Sequence, residues 1–156
     1  MTAGQELVIV LEQDPSGYPP WDEEPLLGEP LGQDHFRVTV TPTFAPDISR
    51  GDVVHAVRFE GRWYFDSLVE AGGHSTVRVV LFADEHHDRL LALGPKVGCD
   101  IAHTAINGLF AIDIPPEASM TALQAELRRG AEAGFWDFNE GVVADNHRQN
   151  LKLDDD

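Results

Sequence analysis

The sequence contains one cysteine, Cys99, in 156 residues. A lone thiol excludes an internal disulfide and fits a reducing cytoplasm, the expected compartment. Basic residues are scarce. Eleven Lys and Arg stand against 27 Asp and Glu, for a formal net charge of −16. Such a surface repels phosphate backbones and anionic headgroups, so neither nucleic acid nor membrane is an expected partner. It attracts and steers a basic protein partner, although acidity also serves solubility alone. Long apolar runs are missing, since nothing approaches the roughly 20 residues needed to span a bilayer. The opening MTAGQELVIVLEQD has no basic region before its apolar run, which argues against a secretory signal. Walker, nucleophile-elbow, dinucleotide-loop, zinc-ligand and EF-hand patterns are lacking too, so no cofactor and no metal are expected.

What is present is a folding chain. Apolar residues make up 42% of it, enough for a real core. ELVIVLEQ (6–13) reads as a strand. DPSGYPPWDEEP (14–25) cannot be a helix, because Pro15, Pro19, Pro20 and Pro25 remove donors and fix φ. HFRVTVTP (35–42) alternates Phe36, Val38 and Val40 with polar residues, the two-residue period of a half-buried strand. Residues 51–73 continue in that manner. Val53, His55, Val57 and Phe59 fall on one face, and Glu60-Gly61 forms a hairpin turn.

The character changes after Gly73. STVRVVLF (75–82) is a strand, and residues 83–98 a helix capped by Asp84 and ended early by Gly94-Pro95. CDIAHTAI (99–106) and LFAIDIPP (109–116) are strands about an Asn107-Gly108 turn. Residues 117–134 form the best helix, with Ser119 as cap and Met120, Leu123, Leu127 and Ala131 as its apolar stripe. FWDFNEGVV (135–143) is a last strand, and the remaining tail is polar and frayed. The expected class is α+β. An antiparallel β barrel or curled sheet (1–73) packs as one body on a ferredoxin-like β-α-β-β-α-β module (74–156).

Few residue groupings suggest chemistry. Asp84, Glu85, His86, His87 and Asp88 are metal-capable, but helical neighbours diverge. Only Asp84 with His87 or Asp88 converges, and a solvated first turn is the preferred reading. Cys99 and His103 on one strand stand roughly 13 Å apart, too far for a thiolate–imidazole pair. His74, Ser75 and Asp52 or Asp66 make a triad on paper, with no elbow around Ser75. Acidic runs occur at Asp22, Glu23 and Glu24, at Glu132, Asp137 and Glu140, and at Asp154 to Asp156. Their chemistry is recognition rather than turnover.

LEQDPSGYPPWDEEPLLGEPLG, FRVTVTPTFAPDISRGDVVHAV, GGHSTVRVV and the stretch from GLFAIDIPP to NEGVV together resemble the small bacterial proteins of domain of unknown function 4265. The resemblance covers about residues 7–143 and departs from the family at VTPTFAP, where a more polar turn is usual. It brings no activity and no catalytic residues. It does imply a context in which small, acidic, cytoplasmic proteins act as immunity proteins that cover a toxin's active site.

The functional expectation is a binding protein without turnover, an immunity-type inhibitor of a basic toxin domain. Its contact residues are Tyr18, Trp21, Asp22, Glu23 and Glu24. The rival is a small enzyme or small-molecule binder built on Asp52, His74 and Ser75 at the junction of the modules. A homodimeric regulatory module is a third possibility.

Overall fold

Inward alternation builds the first unit. In a computed structural model that describes residues 4–148, Leu7 and Ile9 of β1 (Gln5–Val10) turn into a core with Leu26, Phe36, Val38 and Val54. These come from β2 (Glu23–Gly32), β3 (His35–Val38) and β4 (Val53–Phe59), and β5 (Arg62–Glu70) follows. Successive strands pair antiparallel. The sheet closes into a barrel where β1 runs parallel to β5, with Leu7 opposite Trp63. Closure pairs β1 on both sides, with β2 and with β5. This unit extends to Gly72, and a second begins at Gly73.

The barrel differs from the sequence expectation in two places. Proline-bearing residues 23–32 form a strand, with Pro25 opposite Val8 and Pro30 opposite Phe36. Glu24, Leu26 and Gly28 alternate inward along it. Gly28 is needed there, since a Cβ would lie 2.8 Å from Leu7 and 3.0 Å from Phe36. The apolar face of β4 is also redirected. The interior takes Val54 and Ala56, while Val57 and Phe59 stand 47% and 63% exposed. Register shifts at Val53/Val54 and His55/Ala56 break the simple alternation. The turn at Glu60-Gly61 forms as expected, with both residues left-handed, and joins Phe59 to Arg62.

The second unit is a four-stranded antiparallel sheet in the order β7-β8-β6-β9. Its strands are β6 (Ser75–Leu81), β7 (Asp100–His103), β8 (Leu109–Ile114) and β9 (Trp136–Val142). Phe110, Ile112 and Ile114 of β8 share a core with Leu123 and Leu127 of a long helix. That helix, Met120–Glu132, is capped by Ser119, whose Oγ accepts the Ala122 N–H at 3.1 Å.

The first crossover is broken rather than one helix. A 3-10 turn (Asp84–His86) leads into α1 (His87–Leu91) and α2 (Leu93–Val97), which makes Met120–Glu132 α3. Ala83, not Asp84, occupies the cap position, with no side-chain capping bond. Gly94-Pro95 lies inside α2 instead of ending the helix, because proline is tolerated in a first turn. Gly98, with φ of 75°, ends α2. The chain after β9 does not fray at once. Residues 145–148 are helical and His147 is fully buried. The terminal acids Asp154 to Asp156 lie outside the described residues.

Candidate functional site

The proline loop after β1 is held by its own polar groups. The Asp14 carboxylate accepts the Ser16 hydroxyl at 2.5 Å, the Ser16 amide at 2.9 Å and the Tyr18 amide at 3.1 Å. The bond from the Ser16 side chain, then that from the Tyr18 amide, keeps this carboxyl below its usual range. Gln13 Nε2 donates to the Pro19 carbonyl at 3.0 Å, next to a cis Tyr18–Pro19 bond. Leu11 N–H donates to the Asp22 carbonyl at 2.8 Å and closes the loop.

This frame presents two aromatic rings. Tyr18 stands edge-on to Phe44 at 5.6 Å, and Trp21 leans on the same ring at 6.0 Å. Both are anchored yet remain 51% and 44% exposed. A groove of about 430 Å³ lined by Val10, Leu11, Glu12, Pro19, Phe44 and Pro46 adjoins them. The arrangement is a rigid ledge of apolar rings and prolines with acids close by in sequence.

The nearby acids do different things. Asp22 is exposed. Glu23 pairs with Arg62 at 2.9 Å, and that bond raises the guanidinium pKa. Glu24, expected as a contact residue, is buried. Its carboxylate accepts the backbone N–H groups of Thr43 at 2.6 Å and of Phe44 and Ala45 at 2.8 Å. It therefore positions the loop that carries Phe44. The sequence singled out Tyr18 and Trp21 but not Phe44, which packs against both only through the fold.

The residues expected for a rival site have separate duties. Asp52, in the first unit, accepts the Ser49 amide at 2.9 Å and the Gly72 amide at 2.8 Å. Asp66 contacts His55 at 3.0 Å. In the second unit His74 Nδ1 meets Asp113 Oδ1 at 2.8 Å. The Ser75 hydroxyl, fully buried, meets His147 Nδ1 at 2.6 Å and accepts the Ala144 N–H at 2.8 Å. His147 Nε2 lies 3.0 Å from the Pro115 carbonyl. The bonding fits an Nε2–H donor and an Nδ1 acceptor, a clasp between the segment after β9 and the start of β6. Ser75 has no face open to a substrate.

Other sequence candidates also resolve. Burial, aided by the Asp113 charge, pushes the Cys99 thiol up to about 11, so it is a poor nucleophile. His103 turns to His87 instead, with Nε2 atoms 3.1 Å apart. Glu132, Asp137 and Glu140 are exposed. Among the described residues no group of three or more His, Cys, Asp or Glu side chains is arranged to hold a metal, and no helix is long and apolar enough to cross a membrane.

Comparison with known proteins adds fold and family. A search of curated proteins returns no match. The chain resembles the crystal structure of a hypothetical protein from Neisseria gonorrhoeae, with a TM-score of 0.75 and 24% identity, over 92% of this chain and 98% of that one. A likeness at that identity speaks for the fold alone. The family profile described as Domain of unknown function (DUF4265) matches residues 24–138, which include most of the barrel strands and nearly all of the second sheet. The chain belongs to the DUF4265 family.

Proposed function

We propose that this protein acts by binding, without turnover, and that the Tyr18–Trp21–Phe44 ledge receives a basic segment of a protein partner. In its most concrete form it is an immunity-type inhibitor of a basic toxin domain, working in the cytoplasm. One observation carries the reading: two aromatic rings are held in place yet left about half exposed. Such pre-ordered rings lose little entropy on binding and are favoured as interface anchors. The net charge of −16 supplies long-range attraction to a basic partner, with Asp22 beside the ledge.

The revised contact set is Tyr18, Trp21 and Asp22, with Glu23 at the rim and Glu24 as internal support. The second unit is read as ferredoxin-like, which its antiparallel order β7-β8-β6-β9 and its helical crossovers support. A site formed by Asp52, His74 and Ser75 is the weaker reading, because each already has a bonding role.

The test is capture of a partner from the native host at low and high salt, with wild type, a Tyr18→Ala/Trp21→Ala double variant and a Glu132→Gln control. Low-salt capture by wild type and control but not by the double variant is expected. Equal capture by all three, or none by wild type, would refute the assignment.

A further inference from the structure

Two imidazoles from separate elements come together in the second unit. His87 opens α1 and His103 ends β7. Their Nε2 atoms lie 3.1 Å apart, while the ring centres are 4.9 Å apart with planes within 26°. The rings are thus closer at Nε2 than at their centres. Phe110, buried and opposite His103 in the β7–β8 register, lies 5.6 Å from the His87 ring and 4.7 Å from the His103 ring. It limits how far either can swing. His87 Nδ1 is 3.3 Å from Asp88 Oδ1, which favours a proton on Nδ1 and a lone pair on Nε2.

One ion can reach both nitrogens. Metal–nitrogen bonds of about 2.0–2.1 Å reaching two atoms 3.1 Å apart enclose an angle of about 98°. Tetragonal nitrogen sites suit Cu²⁺ and Ni²⁺, and Cu²⁺ binds nitrogen donors more tightly. No third His, Cys, Asp or Glu completes a group here among the described residues. We propose that His87 and His103 form an open two-imidazole site for Cu²⁺ or Ni²⁺ that clamps α1 to the edge strand β7.

An imidazole–imidazole hydrogen bond also fits 3.1 Å, and it predicts no response to metal. Titration of untagged full-length protein with Cu²⁺ or Ni²⁺, read by calorimetry, by thermal melting and by paramagnetic resonance of the Cu²⁺ form, separates the two. The expected result is one ion per chain, two coordinating nitrogens and a raised Tm. His87→Ala or His103→Ala should each weaken binding on the order of tenfold or more, because chelation becomes a single contact. His35→Ala removes one ring of the barrel's own His35–His55 pair, at 5.8 Å, and should leave binding unchanged. If an alanine variant fails to fold, His103→Gln replaces it. Equal affinity in all variants, loss with His35→Ala alone, half an ion per chain or no saturable binding would overturn the proposal.

Discussion

Glu24 shows how one buried carboxylate can set a surface. It makes three bonds to the backbone amides of Thr43, Phe44 and Ala45, and Phe44 supports both exposed rings. Charge-assisted bonds of this kind are stronger than neutral ones, and deletion takes away the acceptor of the buried Ala45 amide. Glu24→Ala should therefore cost about 3 kcal/mol of stability, read as a lower urea midpoint with an unchanged slope. An unmoved midpoint would show that the 43–45 loop holds itself. Cys99 gives a second residue-scale prediction. With its thiol pushed up to about 11, only about one molecule in a thousand carries thiolate at pH 8. Alkylation of the folded protein should be far slower than in urea. A raised folded pKa stabilises the protein below the unfolded thiol's range, and that contribution fades as pH climbs toward about 11. Fast alkylation at pH 8 without denaturant would contradict the burial.

At the scale of elements, α3 and its glycine make the sharpest case. Gly130 lies within the helix, where propensity favours alanine by about 1 kcal/mol. A Cβ there would come within 2.0 Å of the Trp136 indole. That ring is 2% exposed and donates its Nε1–H to the Leu127 carbonyl at 3.0 Å. Overpacking of this severity outweighs propensity, so Gly130→Ala should destabilise by about 2 kcal/mol or more in thermal or urea unfolding. A stabilised variant would mean the indole moves freely. The same helix shows what the sequence makes legible: Ser119 and the Met120, Leu123, Leu127 stripe are local signals. β2 is illegible by the same rules, because Pro25, Gly28 and Pro30 are loop residues by propensity and become a strand only by pairing with β1 and β3. The Ser75–His147 and His87–His103 contacts span 72 and 16 residues, and no local periodicity encodes such meetings. Tyr18 and Trp21 stand out within a proline loop, whereas their support from Phe44, itself held by Glu24, comes from contacts about 20 or more residues apart in sequence.

For the whole molecule, one charge distribution acts on folding and on binding with opposite signs. Twenty-seven acidic side chains face 11 Lys and Arg, so most acids have no basic partner available and repel one another in the folded state. The surface pairs Glu23–Arg62, Lys96–Glu126 and Arg129–Glu126 relieve this only locally, since such pairs contribute roughly 0–1 kcal/mol each. Screening shortens the reach of repulsion from about 30 Å at 0.01 M salt to about 10 Å at 0.1 M. Raising NaCl over that range should lift Tm by about 3 °C, and KCl should act equally. The same screening should weaken capture of a basic partner, because attraction between unlike charges falls with the same length. Opposite trends in Tm and capture would tie both to the acidic surface. A Tm that falls with salt would show that the ion pairs outweigh the repulsion. Capture indifferent to salt would assign recognition to the Tyr18–Trp21–Phe44 rings alone.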